Sequence, residues 1–160
     1  MTINLKNIIS ERDADMNKYM PYAIKEATLA MESEEIPVGA VIVKDGKIIA
    51  SDHNRVEQNG CALCHAEINV IDKASKICGK FLTDCEMYVT LEPCPMCTGA
   101  IINSRIKRLY IGASEPNSGS CGTKIDIINS FGHTIEVYHG IMESECKKLM
   151  KNFFEKLRKS

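Results

Sequence analysis

The chain has 160 residues, 44% of them hydrophobic and 26% charged, which is the size and makeup of one soluble domain with a single core spanning residues 1–160. A formal net charge of −1 excludes an overall electrostatic grip on a polyanion and leaves only local patches for that purpose. No apolar run is long enough to cross a bilayer, and the opening MTINLKNIIS lacks the basic flank, apolar stretch and cleavage site of a signal peptide. A cytoplasmic location is therefore expected, and in that reducing compartment the eight cysteines are read as thiols and metal ligands before disulfides.

Asn17 is the expected N-cap of a first helix reaching about Ser33, with Pro21 in the first turn and Met20, Ala23, Ile24, Ala27 and Met31 facing inward. The β-branched run Val38 to Val43, the turn Asp45-Gly46 and the apolar return Lys47 to Ser51 predict a β-hairpin. Helical spacing resumes from about His65 to Lys76 through Ile68, Ile71 and Ala74, and Glu86 to Leu91 alternates like a strand that ends at Glu92-Pro93. Pro95 suits the first position of a helix over Pro95 to Ser104. Ile106 to Ile111 and Thr134 to Tyr138 read as further strands separated by a turn-rich loop, Ser114 to Thr123. A last helix from about Glu143 carries Cys146, Leu149, Met150, Phe153, Phe154 and Leu157 on one stripe, and its lysines with Arg158 read as a solvated face. Strands alternating with helices, opened by a hairpin, predict a three-layer α/β/α domain around a mixed sheet.

Two clusters carry chemistry: His65-Ala66-Glu67, and Pro93-Cys94-Pro95-Met96-Cys97 directly after a strand. Catalytic zinc takes three protein ligands and keeps a fourth position for water, and one imidazole with two thiolates is an established set. Cys94 and Cys97 are three apart on one helical turn, so both sulfurs reach a single ion, and the helix dipole favours the thiolate form. One zinc per chain held by His65, Cys94 and Cys97 is expected. Glu67, two residues past His65, projects beside the metal position and is the expected catalytic proton carrier, since zinc brings the pKa of water to about 7 and a carboxylate takes the released proton. Two other readings of the same residues stay open: Cys61-Ala62-Leu63-Cys64-His65 has the C-x-x-C-H form of haem attachment, and Cys61, Cys64, Cys94 and Cys97 form a closed four-thiolate zinc set.

The pattern H-x-E…P-C-x-x-C is the known signature of zinc nucleobase deaminases. The chain resembles the bacterial tRNA adenosine deaminases of the cytidine deaminase-like superfamily over nearly its whole length. The likeness is carried by Ile36 to Val41 (IPVGAV), Asn54-Arg55, His65 to Ile68 (HAEI), Tyr88 to Ala100 (YVTLEPCPMCTGA), Ser104-Arg105-Ile106 and Glu145 to Phe154 (ECKKLMKNFF). This resemblance implies a five-stranded mixed sheet, a homodimer, and a base flipped out of an anticodon stem-loop. Residue by residue it implies zinc on His65, Cys94 and Cys97, Glu67 moving protons while water attacks C6 of a wobble adenine, Asn54 bonding the base edge, and the Ala66 N–H orienting it. The chain departs from the family at Cys61-Ala62-Leu63-Cys64, where Asp-Pro-Thr-Ala is common, at Glu115, and at Gly132-His133. The first departure borders the base pocket and the other two bear on contacts to flanking nucleotides, so the alternatives are a deaminase of a free base or nucleoside such as guanine or cytosine, and a zinc-binding partner subunit without turnover.

Overall fold

A computed structural model describes residues 15–160; the reading of MTINLKNIIS falls outside the described residues. In chain order the elements are α1 (Met20–Glu32), β1 (Gly39–Lys44), β2 (Lys47–His53), α2 (Val56–Asn59), α3 (Ala66–Cys78), β3 (Cys85–Leu91), α4 (Pro95–Asn103), β4 (Arg108–Ala113), α5 (Ile127–Ser130), β5 (Glu136–Tyr138) and α6 (Glu143–Lys159). The five strands form one mixed sheet in the order β2-β1-β3-β4-β5, antiparallel between β2, β1 and β3 and parallel from β3 to β5. Among the described residues no helix is long and apolar enough to cross a membrane.

The β1–β2 hairpin closes on Asp45 and Gly46, whose φ values of 49° and 71° are the two left-handed positions of the turn that matches strand twist. Because side chains alternate along a strand, β1 sends Ala40 and Ile42 to one face of the sheet and Val41 and Val43 to the other. The first face, with Met87, Val89, Leu109 and Ile111, packs on Ala66, Val70 and Ala74 of α3 and Ile101 of α4. The second, with Tyr88 and Tyr110, packs on Met20 and Ala23 of α1 and Cys146 of α6. Parallel pairing places Tyr88, Tyr110 and Tyr138 side by side, and their rings stack at centroid distances of 4.3 and 5.0 Å.

Several boundaries differ from those expected. Asn17 is not the cap of α1: it ends a separate helical turn over residues 15–17, and α1 starts after Tyr19, with Pro21 in its first turn as anticipated. Ile24 and Met31 are only half-buried, and Ala30 is buried instead. The fourth strand begins at Arg108 because Ile106 and Lys107 finish the turn out of α4. Arg105 there has φ 59°, and the Ile106 and Lys107 amides donate to Ile101 and Cys85 carbonyls. The final helix buries Cys146 and Phe153, but Phe154 and Leu157 are 41% and 53% exposed. Its 17 residues span about 26 Å, beyond the reach of the six-residue β4 beside it.

Glu92, just past β3, holds the loop between β4 and α5. Its carboxylate, 2% exposed, accepts hydrogen bonds from the backbone N–H groups of Glu115, Cys121 and Thr123 at 3.2, 3.1 and 3.1 Å. Burial alone would raise its pKa; the donors from Thr123, Glu115 and Cys121 outweigh that and hold it below its ordinary 4.5. Gly119 is needed here because a Cβ would come within 2.5 Å of Glu92 Oε2.

Gly39 admits no side chain, since a Cβ would overlap the Ala23 carbonyl and the Ala27 amide of α1. Gly39→Ala is therefore expected to cost about 1–3 kcal/mol, read as a lowered urea midpoint at constant slope. An unchanged midpoint contradicts this packing. Because the folded pKa of Glu92 lies below the unfolded one, its contribution is complete above pH 4.5 and disappears as pH falls through the folded value. Glu92→Gln should destabilise by about 1–3 kcal/mol at pH 7 and flatten the acid limb of the stability–pH curve. An acid limb as steep as the parent's would remove Glu92 from that account.

Candidate functional site

The starts of α3 and α4 meet on the sheet face that carries Val89 and Ile111. His65 is the extended residue before α3 (φ −68°, ψ 154°) and Cys94 the extended residue before α4 (φ −72°, ψ 173°). The second follows from covalent geometry, because a residue ahead of proline is pushed out of the helical region and Pro95 then opens the helix. Cys97 lies in the first turn of α4, fully buried.

The structure brings three of the expected site residues into one cluster. His65 Nδ1 lies 3.7 Å from Cys94 Sγ and 3.5 Å from Cys97 Sγ, and the three donor atoms all fall within 4.8 Å of one another. Zinc bonds of about 2.3 Å to sulfur and about 2.0–2.1 Å to nitrogen at a tetrahedral angle require N···S edges of about 3.6 Å, so both edges fit the ion. Cys61 and Cys64 belong to no such group among the described residues. They sit on the exposed turn ahead of His65, where the Cys64 N–H bonds the Cys61 carbonyl at 3.1 Å. A second acid-and-histidine group, Glu26, Asp52 and His53, is tied up internally: His53 Nδ1 meets Glu26 at 2.7 Å, while Asp52 pairs with Arg55 and Lys73 at 2.7 and 2.8 Å.

The electrostatics of the cluster favour a cation. The neighbouring Cys97 thiol holds the Cys94 pKa down to about 4, assisted by His65, while Cys97 is pushed up by the closeness of Cys94 and by burial. Hydrogen bonding to Cys94 raises His65. Glu67, in the first turn of α3 and 4% exposed, is pushed up to about 7, chiefly by burial.

Ala66, the first residue of α3, is wholly buried, and its N–H lies among those that have no partner within the helix. Asn54 follows β2 and is 6% exposed. The Asn54 and Arg55 amides donate to the Val38 and Cys64 carbonyls, and Asn69 Nδ2 bridges the His53 and Cys64 carbonyls at 2.9 and 3.3 Å, which moors Asn54 beside the loop that leads to His65. Asn54 Nδ2 donates to Glu35 Oε2 at 3.3 Å, whereas Asn54 Oδ1 is the single buried side-chain polar atom without a partner among the described residues. Glu35, Asn69 and Glu92 escaped the sequence reading. Glu35 and Glu92 lie at element boundaries and Asn69 in the first turn of α3, and nothing in their local pattern separates them from solvated polar residues.

A family model described as MafB19-like deaminase matches residues 14–158. The tRNA-specific adenosine deaminase of Bacillus subtilis (strain 168) is 45% identical over 144 residues, covering 88% of this chain and 89% of that protein. A solved structure from work on A-to-I editing by tRNA:A34 deaminases superposes with a TM-score of 0.80 at 40% identity, covering 82% of this chain and 98% of that one. The structure of a guanine deaminase from Bacillus subtilis superposes with a TM-score of 0.61 at 35% identity, covering 76% and 82%. The expectation of a cytidine deaminase-like fold is met in strand number, pairing and layers. With this sheet, this pair of helix starts and this degree of identity, the chain belongs to the MafB19-like deaminases, in the branch of the bacterial tRNA-specific adenosine deaminases.

Proposed function

We propose that the chain is a zinc-dependent hydrolase that deaminates adenosine in a tRNA anticodon stem-loop. The observation that carries the reading is the clustering of His65, Cys94 and Cys97, with both N···S edges at tetrahedral length, beside the buried carboxyl group of Glu67. Zinc held there supplies a Lewis acid that makes hydroxide available from water at neutral pH.

The chain's own residues do the rest. Glu67, a buried carboxyl group in the first turn of α3 two residues past His65, is placed to take the proton of the attacking water. It then passes protons to the ring nitrogen and to the departing amine. In balance, the water oxygen replaces the amino nitrogen on the ring carbon and ammonia leaves. The Ala66 N–H and the unpartnered Asn54 Oδ1 offer one donor and one acceptor that hold the base edge-on. For the nucleic acid, α6 exposes Lys147, Lys148, Lys151, Lys156, Arg158 and Lys159, a local basic face on a chain of net charge −1. The 45% identity to a tRNA-specific relative supports this substrate.

A second reading, a guanine or other free-base deaminase, draws on the likeness at 35% identity to a guanine deaminase. It draws also on the Cys61-Ala62-Leu63-Cys64 turn, which replaces the sequence common in the tRNA branch.

Glu67→Ala should lower turnover by about 10²–10⁴-fold while zinc stays near one per chain, because the carboxyl group is not a ligand. Loss of the metal in that variant would count against this role. Cys97→Ala should lose zinc and with it thermal stability, since metal bound only by the folded form adds to its stability. Full zinc content would strike Cys97 from the ligand set. Ammonia release from a panel of bases, nucleosides and stem-loops separates the substrates: the tRNA reading expects a stem-loop rate far above that of free adenosine, falling steeply with salt. Equal rates on stem-loop and free adenosine, or preference for guanine, favour the second reading.

A further inference from the structure

We infer that Glu35 is a positioning residue that fixes which end of the Asn54 amide faces the substrate, and so requires a hydrogen-bond donor on the base at that point. The inference rests on the reading of Asn54 as a base contact. Glu35 lies between α1 and β1 and is 1% exposed, an unusual place for a carboxyl group. Both of its oxygens are engaged: Oε1 accepts the backbone N–H of Gln58 at 2.7 Å, and Oε2 accepts Nδ2 of Asn54 at 3.3 Å.

An amide side chain can turn over and exchange its donor and acceptor ends at little steric cost. A carboxylate opposite one end abolishes that freedom, because it accepts from the NH₂ end and repels the carbonyl end. Asn54 is thereby held with Nδ2 toward Glu35, which leaves Oδ1 buried and without a partner. A buried unpaired acceptor is costly, and the cost is recovered when a ligand donates to it. A base that presents an acceptor there would face oxygen against oxygen and be rejected, which is the more selective kind of discrimination. Glu35 acts through Asn54 in this scheme.

The polarity of the pair can be inverted and restored. In Glu35→Gln the new Oε1 keeps the Gln58 N–H, and the new Nε2 meets Asn54 with a donor, so Asn54 turns over and offers NH₂ to the base. In Asn54→Asp alone, two carboxyl groups face each other. In the double variant Glu35→Gln with Asn54→Asp, the glutamine Nε2 donates to one aspartate oxygen and the other is again an acceptor toward the base.

The test measures kcat/KM for deamination by the zinc-loaded protein, on whichever substrate the ammonia panel identifies, together with zinc content and thermal midpoint. Each single variant is expected to lose about ten- to a hundredfold, with zinc content unchanged, and the double variant to return to within about fivefold of the parent. A purely structural role predicts that losses accumulate in the double variant. That outcome, or a Glu35→Gln enzyme with parental kcat/KM, overturns the inference. Asn54→Ala separates the two layers of the argument: if it deaminates like the parent, the base-contact reading fails and Glu35 falls with it. If Asn54→Ala is impaired but the double variant is not restored, Glu35 alone is refuted. Should Glu35→Gln fold poorly, the comparison of Asn54→Asp with the double variant still decides, because only the polarity scheme lets the second substitution improve on the first.

Discussion

The site depends on two helices being made to begin at one place with extended residues at their entrances. His65 and Cys94 both sit at ψ values above 150°, each one residue ahead of a helix, so both side chains project from helix starts instead of along helix flanks. For Cys94 the cause is local and covalent, a proline on its carboxyl side. For His65 it is tertiary: the turn at Cys61 to Cys64 and the Asn69 bridge to the His53 and Cys64 carbonyls hold the entrance open. The sheet makes the two meet, because β1 and β3 run antiparallel while β3 and β4 run parallel, and both α3 and α4 cover the same face. Helix starts also gather N–H groups and positive potential, which suits thiolates and an anionic nucleophile.

Around that meeting point the fold buries carboxyl groups to an extent that a core of this size tolerates only when each has its partners. Glu92 answers the backbone donors of a loop, and Glu35 answers a backbone donor and an amide. Glu67 is the exception in kind, since burial dominates its environment and lifts it to about 7. Of the four buried carboxyl groups among the described residues, Asp52 is paired with Arg55 and Lys73, Glu92 closes a loop, Glu35 holds a backbone donor and the Asn54 amide, and Glu67 is left beside the His65 and cysteine cluster.

Much of this was legible in the sequence because the features are local. A hairpin turn declared itself by Asp45-Gly46, the helix start at Pro95 by its own ring, the Cys94 and Cys97 pair by spacing that one helical turn enforces, and His65 by its place in the His65-Ala66-Glu67 unit. What stayed hidden was decided by contacts far apart in the chain. The fourth strand starts two residues late because Lys107 is claimed by Cys85, and the apolar stripe of α6 outruns the sheet it packs on. Glu35 and Asn69 look like ordinary solvated polar residues until the fold places them against the β2 exit.

The ligand set is the claim on which the chemistry stands, and zinc-edge X-ray absorption on the purified, zinc-loaded protein reads it without reference to activity. Two sulfur neighbours at about 2.3 Å and lighter neighbours at about 2.0–2.1 Å, including imidazole, are the expected result. Four sulfur neighbours, or protein that takes up no zinc, would contradict it.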